Sequence, residues 1–586
     1  MVKICIIDSG FERSALPYST CISGIDFEIS EKGFTAVTKE LEDSIGHGTS
    51  VVLTILEQNS EIELVMCKLF DDDFMADQEK LLFILEYVAE HIPCDILHMS
   101  FGVTNCDCIK SLNAICQKIK DKGTYIVSAY DNAGAVSYPA CFESVIGVDS
   151  FLPYTGYQYE FIENSIVNVR LNVGLKRFSI NGQYYLFNGS SFGAAYITGL
   201  LSKHIKTGQK VDCYDILRRN AGRIETNRRY ISQEALPTCK KAVLFPFNKE
   251  MHSIVKFSKQ LSFRISNIFD SPRSGNVGKQ LEAFLKTEQT SELVIQNINY
   301  IDWEDDFDLF ILGHQNRLSK IEHKEYEREI IARCKEHGKV LFTFDQPREE
   351  YGNVYFPHIH SRFYANTYQK LYQISSPIVG VFGTSSSQGK FSLQLALRNL
   401  LQKDGYQVGH LGTEPQSELF GIDCVYPCGY NQKIDLSQEK QAQVINQMMA
   451  EIDQKGVDII LCGSQSGTIP YMQKNIQYVT YIQMVYAFAI MPDLSILCVN
   501  EFDDLDYIQR TIYFLESIEN NRVFALALFP KTRISLTTQK SKYKWLSPDQ
   551  LSQKANYLEE KLHRDVFIMD ELGITELYKK MIHLLS

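Results

Sequence analysis

A run of small residues followed by an apolar run is the feature that most constrains the first part of the chain. Gly-Ser-Ser-Phe-Gly-Ala-Ala (residues 189–195) leads into Tyr-Ile-Thr-Gly-Leu-Leu (residues 196–201). The second run can form a buried helix with little bulk beside the turn. A serine at its start lies where backbone N–H groups are unpaired, which suits an acyl-transfer nucleophile. An N-cap serine is the alternative interpretation of this stretch alone.

Two motifs nearer the N-terminus supply the groups that such a nucleophile needs. Residues 2–7 form an apolar run of strand length that ends on Asp8, followed by a Ser-Gly turn. A carboxylate at the end of a buried strand is well placed to orient another side chain. His47 lies between two glycines at the head of an apolar run, and glycine flanks let the backbone approach the ring closely. In chain order, Asp8, His47 and Ser191 predict an orienting carboxylate, a base and a nucleophile.

The order Asp, His, Ser and the flanking residues resemble the subtilisin-like serine proteases, or subtilases. Three segments carry the resemblance: Ile-Ile-Asp-Ser-Gly (6–10), Gly-His-Gly-Thr-Ser-Val (46–51) and Gly-Ser-Ser-Phe-Gly-Ala-Ala (189–195). The resemblance implies a parallel-sheet α/β domain that hydrolyses peptide bonds. It leaves open that all these residues persist in a domain without activity.

A fourth segment implies an oxyanion site. Ile-Val-Ser-Ala-Tyr-Asp-Asn-Ala-Gly (126–134) resembles the subtilase segment in which an apolar strand leads to an asparagine. By that resemblance, the Asn132 amide and the backbone N–H of Ser191 hold the developing oxyanion. Phe192 stands where the family usually has methionine, a difference that affects specificity and rate rather than proton transfer.

A fifth segment implies a substrate strand. Ile-Leu-His-Met-Ser-Phe-Gly (96–102) is similar to the subtilase strand that pairs with an extended peptide and lines its specificity pocket. Ser100, Phe101 and Gly102 are therefore expected to bind substrate by strand addition, backbone to backbone.

Length and charge bound the remaining possibilities. A chain of 586 residues exceeds one ordinary core, so several domains are expected. A net charge of −12 argues against nucleic acid and membrane surfaces as partners. The 15 cysteines are odd in number and scattered, which favours reduced thiols, and their spacing predicts no metal site. No apolar run reaches the roughly 18 residues that span a bilayer, and the start resembles neither a signal peptide nor a propeptide, so a cytoplasmic location is expected.

The second part of the chain restarts the α/β pattern. Apolar runs at residues 241–247, 307–313 and 338–344 alternate with helical stretches, which predicts a layered α/β fold. His314 and Asp345 follow two of these runs. Residues at such strand ends either bind ligands or cap turns, and both interpretations stay open.

A phosphate-binding loop is predicted further on. An apolar strand (377–382) precedes a glycine-rich loop and a helix with apolar periodicity from Leu393 to Leu401. In such loops backbone N–H groups surround phosphate oxygens and a lysine neutralises them. Phe391 stands at the usual magnesium-binding position, so either Ser392 takes that role or no metal is held. The predicted phosphate-binding residues are Gly383, Gly389, Lys390 and Ser392.

Residues 405–414 and 458–467 resemble an uncharacterised P-loop family that is related to dethiobiotin synthetase and includes D-glutamate N-acetyltransferases. In that family a Rossmann-like domain precedes the P-loop domain, so the resemblance covers about residues 241–586. Gly463 stands where the family carries a glutamate, which removes an acidic group expected to act on metal or water.

Together these observations predict three α/β domains: a subtilisin-like serine protease domain (1–235), a Rossmann-like domain (240–370) and a P-loop domain (375–586). The predicted function is an intracellular serine endopeptidase that trims the leader of a ribosomally made precursor peptide, resembling bacterial peptide-maturation proteins. The predicted partner is a precursor peptide or protein substrate, and homo-oligomerisation stays open.

Proteolysis by an Asp-His-Ser triad needs no cofactor, whereas the P-loop is expected to take a nucleotide or other phosphate ligand, with magnesium. Two alternatives remain from the sequence. One is a P-loop transferase or ligase with a vestigial protease domain, and the other is a catalytically inactive scaffold that binds precursor peptides.

Overall fold

The structure is a computed structural model of the chain. It describes residues 1–585 except 31–32, 40, 71–75, 133, 151–158, 172–173, 181, 206–210, 227–235, 286–292, 348–352, 429–433, 435, 473–480 and 534–542. Within these described residues, no helix combines the length and the apolar character needed to cross a bilayer.

The chain divides into two compact units. The first unit consists of Met1–Ile231 and Tyr364–Ser375, and the second of Ser232–Phe363 and Ser376–Ser586. The predicted boundary at residue 235 lies outside the described residues. The three-domain division stays a prediction, and it did not include the return of Tyr364–Ser375 to the first unit.

The first unit is built on a sheet of ten described strands, in the order β12-β8-β9-β7-β6-β5-β1-β4-β2-β3. Its pairs are parallel except β2 with β3 and β8 with β9. A separate antiparallel hairpin pairs β10 with β11. The strands are β1 (Val2–Asp8), β2 (Cys21–Ser30), β3 (Gly33–Thr38), β4 (Ile62–Lys68), β5 (Ile96–Met99), β6 (Tyr125–Ala129), β7 (Val145–Ser150), β8 (Glu160–Glu163), β9 (Val169–Leu171), β10 (Lys176–Ile180), β11 (Gln183–Phe187) and β12 (Arg223–Thr226).

Helices cover both faces of this sheet. They are α1 (His47–Gln58), α2 (Gln78–His91), α3 (Ile109–Asp121), α4 (Ser190–His204) and α5 (Cys213–Asn220). Apolar residues of α1 and α4 share one core with β1, and those of α2 and α3 share another core with the same strand. Because β1 is buried on both faces, its sequence is continuously apolar rather than alternating. Gly199 lets α4 approach α1 closely, since a Cβ there would lie 2.8 Å from the Ile55 carbonyl oxygen.

The second unit contains two further parallel sheets. The first has the order β15-β14-β13-β16-β17-β18. From β13 the chain adds β14 and β15 on one side, and then β16, β17 and β18 on the other side. Its strands are β13 (Lys241–Phe245), β14 (Arg264–Asp270), β15 (Ile295–Asn297), β16 (Leu309–Leu312), β17 (Val340–Thr343) and β18 (Val354–Tyr355). Its helices are α6 (Lys249–Lys256), α7 (Asn316–Glu322) and α8 (Tyr326–Glu336).

The other sheet of this unit has the order β21-β20-β22-β19-β23-β24-β27, and a separate hairpin pairs β25 with β26. The strands are β19 (Ile378–Gly383), β20 (Val408–Gly412), β21 (Cys424–Val425), β22 (Ile459–Gly463), β23 (Leu494–Val499), β24 (Arg522–Leu528), β25 (Lys531–Arg533), β26 (Tyr543–Trp545) and β27 (Asp565–Ile568). The helices are α9 (Lys390–Lys403), α10 (Gln438–Asp453), α11 (Tyr481–Ile490), α12 (Leu505–Glu516), α13 (Pro548–Leu562) and α14 (Glu571–Leu585).

The predicted α/β fold class is confirmed, because large parallel sheets flanked by helices form both units. The predicted apolar runs became strands with small shifts at their ends. The helix predicted from Leu393 begins three residues earlier, at Lys390, because a buried lysine opens its first turn and does not enter the apolar pattern.

Candidate active site

Asp8 is the last residue of β1, and its side chain is fully buried. Its Oδ1 accepts hydrogen bonds from the Ser9 backbone N–H at 2.7 Å and pairs with His47 Nδ1 at 2.8 Å. Its Oδ2 accepts a hydrogen bond from the Ser100 hydroxyl at the end of β5. The carboxylate therefore has a fixed orientation, with one oxygen directed at the imidazole.

His47 is the first residue of α1, where the chain turns sharply. Gly46 adopts a left-handed conformation (φ +76°) that glycine favours. A Cβ at Gly48 would lie 2.2 Å from the Gly10 carbonyl oxygen, so only glycine lets this turn reach the turn after Asp8.

A second carboxylate, Asp43, ties the two turns together. Its Oδ1 accepts hydrogen bonds from the Ser9 hydroxyl at 2.8 Å and the Gly46 N–H at 2.9 Å. Its Oδ2 accepts hydrogen bonds from the Thr49 N–H at 2.7 Å and the Thr49 hydroxyl at 2.6 Å. Sequence reasoning missed Asp43. The available signal was an aspartate three residues before a glycine at a helix start, where a carboxylate commonly accepts backbone N–H bonds.

The charges of the pair stabilise each other. Burial alone would raise the pKa of Asp8, but the charge and hydrogen bond of His47 and the Ser100 hydroxyl hold it below its usual value. Burial alone would lower the pKa of His47, but Asp8, with a smaller contribution from Asp43, raises it above its usual value. The site therefore favours an ionised carboxylate beside an imidazole that accepts a proton readily.

Ser191 is the second residue of α4 and is buried. Phe192 follows it and places its ring centre 5.5 Å from that of His47. Ser190 precedes it and donates its backbone N–H to Asn132 Oδ1 at 3.0 Å. The residues on either side of Ser191 therefore contact the histidine and the asparagine, and the joint action of Ser191 with them stays a prediction.

The asparagine lies against the turn before α4. A Cβ at Gly189 would lie 2.6 Å from Asn132 Oδ1, and Gly189 adopts a positive φ of +113°. Ser190 donates its hydroxyl to the Tyr130 carbonyl oxygen and to Asn132 Oδ1. With Oδ1 held by Ser190, the Asn132 amide nitrogen is the group that can donate to a substrate.

The three predicted substrate-binding residues occupy different environments. Ser100 bonds to Asp8, as described above. The Phe101 ring packs edge-on against Phe70, with centres 5.3 Å apart. Gly102 approaches the end of β6 closely, because a Cβ there would lie 2.9 Å from the Ala129 carbonyl oxygen. Their role in substrate binding stays a prediction.

The predicted phosphate loop connects β19 to α9. Gly389 has a φ of +74°, and Lys390 is buried at the first position of the helix. Its Nζ donates to the carbonyl oxygens of Ser385 at 2.7 Å and Ser466 at 2.9 Å, and burial lowers its pKa to about 8. A Cβ at Gly383 would lie 3.1 Å from that Nζ.

Ser392 lies in the first turn of α9 and is half-buried.

Position 463, where the P-loop family carries a glutamate, has no room for a side chain in this structure. A Cβ at this residue would lie 2.1 Å from Gln394 Oε1, which also pairs with His410 Nε2 at 3.0 Å. Gln394 therefore occupies the space into which a side chain at position 463 would extend.

His314 and Asp345 meet at the carboxyl ends of β16 and β17. His314 Nδ1 lies 2.8 Å from Asp345 Oδ1, so the two side chains contact each other. The side chain of His314 is 15% exposed. Within the described part of the chain, no group of three histidine, cysteine or acidic side chains is arranged to hold a metal ion.

The fold and the site define an α/β protein whose first unit carries a buried Asp–His pair beside a serine at a helix start. Residues 1–221 match the model of the subtilase family (Peptidase_S8). The N-terminal part of the chain therefore carries a subtilase-family domain, which at the superfamily level is a serine protease domain. No curated protein matched the sequence.

Three solved structures illustrate what the chain is similar to. A DUF1611 family protein from Anabaena variabilis is 12% identical with a TM-score of 0.42, over 59% of this chain and 99% of that one. A lanthipeptide protease is 16% identical with a TM-score of 0.30, over 37% and 79% of the two chains. The prenylagaramide maturation protease PagA is 18% identical with a TM-score of 0.28, over 36% and 79%.

Proposed function

We propose that the first unit is an endopeptidase that cleaves peptide bonds through Asp8, His47 and Ser191. The observation that carries the proposal is the 2.8 Å contact between His47 Nδ1 and the buried Asp8 carboxylate, beside the helix start that bears Ser191. A carboxylate on Nδ1 fixes the tautomer in which Nδ1 carries the proton and Nε2 is the proton-accepting nitrogen.

In this mechanism the Ser191 hydroxyl attacks the substrate carbonyl carbon while His47 Nε2 takes its proton. The imidazolium then gives that proton to the leaving amine. Water then replaces the amine: His47 takes a proton from the water as it attacks the acyl carbon. The same proton passes to the Ser191 oxygen when the ester bond breaks. Asp8 raises the pKa of His47 although burial lowers it. The same interaction stabilises the imidazolium that forms during each step.

The Asn132 amide nitrogen and the Ser191 backbone N–H are proposed to hold the oxyanion. Asn132 is directed toward the helix start by its contact with Ser190. Losing one such donor costs about 2.7–4 kcal/mol of transition-state stabilisation.

For the substrate, we propose a ribosomally made precursor peptide from which the leader is removed. It follows the resemblance of the motifs to bacterial peptide-maturation proteins, and two of the similar structures are named as a lanthipeptide protease and a maturation protease. Mass spectrometry of candidate precursors encoded near the gene tests this part. Rapid, unselective digestion of an unfolded protein such as reduced casein would contradict it.

A fluorophosphonate probe tests the protease itself. The wild-type chain is expected to form one covalent adduct on Ser191, located by peptide mass spectrometry, and Ser191→Ala to form none. Ser202→Ala is the matched control, because Ser202 lies on the same helix, where its hydroxyl donates to the Gly199 carbonyl oxygen and accepts a hydrogen bond from the Asn59 amide nitrogen. A wild-type chain that forms no adduct would exclude the proposed activity.

We further propose that the loop of residues 383–392 binds a phosphate-bearing ligand such as a nucleotide. Support comes from the buried Lys390 at the start of α9, whose ammonium donates to two carbonyl oxygens that a phosphate can replace. Gly383, Gly389 and Ser392 complete the loop and the first helical turn, where backbone N–H groups favour anions. The sequence leaves magnesium and catalysis at this loop open, because Phe391 stands at the usual magnesium-binding position and Gly463 stands where the family carries a glutamate.

Calorimetric titration of the Ser191→Ala chain with ATP and with pyrophosphate, each with and without magnesium, tests this second proposal. Lys390→Met is expected to weaken binding by at least about tenfold, since it removes a charge-assisted contact. Lys403→Met, at the exposed end of the same helix, is the control. Absence of saturable binding of both ligands at millimolar concentration would contradict it.

A further inference from the structure

The segment Tyr364–Ser375 belongs to the first unit, although the residues on either side of it in sequence belong to the second. We call this segment the return segment. It contains a tight turn in which the Lys370 N–H donates to the Thr367 carbonyl oxygen at 3.1 Å. The two residues between them, Tyr368 and Gln369, have positive φ angles of 53° and 66°. Such angles are costly for residues other than glycine, so the contacts around the turn must stabilise it.

Lys370 makes the central contact of the return segment. Its Nζ lies 2.9 Å from Asp149 Oδ1, and both side chains are 8% exposed. The same ammonium lies 5.5 Å from the centre of the buried Tyr130 ring. Burial raises the pKa of the Asp149 carboxyl, and the Lys370 charge opposes that rise. Lys370 thus compensates the buried Asp149 charge, with a further contribution from Arg170.

The contacts of the return segment converge on the loop that carries Asn132. The Leu371 carbonyl oxygen accepts a hydrogen bond from the Val136 N–H at 2.9 Å. Tyr130, at the other end of the loop, receives the Lys370 ammonium on its ring. Inside the loop, the Asp131 N–H donates to the Ser137 hydroxyl oxygen at 2.9 Å. The loop is therefore held on both sides of Asn132 by residues of the return segment.

We propose that Lys370 is a positioning residue for the oxyanion site, and that the return segment holds the Asn132 loop in its active geometry. The proposal rests on the proposed protease function. It means that the completeness of the protease site depends on residues more than 200 positions beyond Asn132, supplied from within the sequence of the second unit. Lys370 itself does not touch substrate and acts through the loop.

The test measures the second-order rate constant for fluorophosphonate labelling of the full chain. The phosphonyl oxygen of the probe occupies the oxyanion site, so the rate reports on Asn132. Lys370→Met is expected to slow labelling by about 10- to 100-fold, part of the loss that removal of an oxyanion donor causes. The pH at half-maximal labelling should stay unchanged, because His47 and Asp8 are not altered. Lys370→Arg is expected to recover much of the rate, and Lys118→Met, which breaks the exposed pair with Glu90, to change nothing.

A double variant separates positioning from charge balance and covers the case in which Lys370→Met does not fold. Asp149→Asn with Lys370→Met removes both charges of this pair and leaves the nearby Arg170 with Glu160 as its partner, so it is expected to fold and still to label slowly. Wild-type labelling rates in this double variant, or in a folded Lys370→Met, would overturn the proposal while leaving the protease intact. A wild-type chain that does not label would instead refute the proposed function and the positioning role together.

Discussion

Replacing Ser100 by alanine separates two roles for this residue. The sequence predicts that Ser100 binds substrate, whereas in the structure its hydroxyl donates to Asp8 Oδ2. The other carboxylate oxygen is bonded to His47 and Ser9. Ser100→Ala therefore leaves the carboxylate held on one side only, without altering any group of the proposed proton transfer.

The expected magnitude follows from the charge on the acceptor. A hydrogen bond to an ionised group contributes about 1.5–3 kcal/mol, and 1.36 kcal/mol corresponds to about tenfold in rate. If the whole contribution orients the imidazole in the transition state, labelling slows by about 10- to 100-fold. The pKa of Asp8 rises, because one of the hydrogen bonds that lower it is lost. Asp8 nevertheless stays ionised at neutral pH, so the loss at neutral pH reflects orientation and not charge.

The sign of the stability effect can be checked as well. Because the folded-state pKa of Asp8 lies below its usual value, its ionised form stabilises the fold above about pH 4. That contribution is lost as the pH falls through the folded-state pKa. Ser100→Ala should therefore lower the melting temperature at pH 7, and the difference from wild type should shrink in acid.

Fluorophosphonate labelling and peptide kinetics measure the effect, and Ser128→Ala is the matched control. Ser128 is equally buried on the neighbouring strand β6, but its hydroxyl donates to the Phe101 carbonyl oxygen at 3.1 Å. The control should label within a few-fold of wild type. If Ser100→Ala raised KM for peptides without lowering kcat, the residue would serve substrate binding, and the reasoning from the Asp8 contact would be refuted.

Three further outcomes are expected. Labelling requires the neutral imidazole of His47, and Asp8 outweighs burial and raises the pKa of His47 above its usual value. Labelling should therefore be half-maximal above about pH 6.5, and a midpoint below this pH would contradict the expectation. Gly48→Ala, whose Cβ would lie 2.2 Å from a backbone carbonyl oxygen, should cost about 1–3 kcal/mol of stability and slow labelling, as thermal melting and probe kinetics would show. Gly463→Glu should lower the melting transition of the second unit in calorimetry, because Gln394 fills that space, and an unchanged transition would argue against it.

The strands and the candidate catalytic residues were accessible from the sequence for one physical reason. Parallel strands covered on both faces require continuous apolar runs, and polar residues directly after such runs must lie at one edge of the sheet. Asp8 ends β1 in this way, and His314 lies two residues after the end of β16. The glycines around His47 and Ser191 indicated tight turns in the sequence. Gly46 and Gly189 adopt positive φ angles in these turns, which glycine favours.

The contacts of Lys370 could not be predicted in the same way. Its partner Asp149 is more than 200 residues away, and no local pattern marks either residue as one of a pair. In the sequence, the return segment also stands between stretches that belong to the second unit. Sequence order alone would therefore assign it to that unit and not to the first. Long-range ion pairs depend on how the chain returns, which apolar periodicity does not encode.

Asp43 explains how the candidate site can be held rigid. One buried carboxylate accepts four hydrogen bonds, from the turn after Asp8 and from the turn that begins α1, so the two residues of the pair cannot move independently. Its charge also adds to that of Asp8 in favouring a protonated His47. In the proposed mechanism, proton transfer from Ser191 creates that imidazolium, and the negative charges are fixed before the reaction begins. Little reorganisation is then needed in the transition state, which is the condition under which electrostatic stabilisation contributes most to the rate.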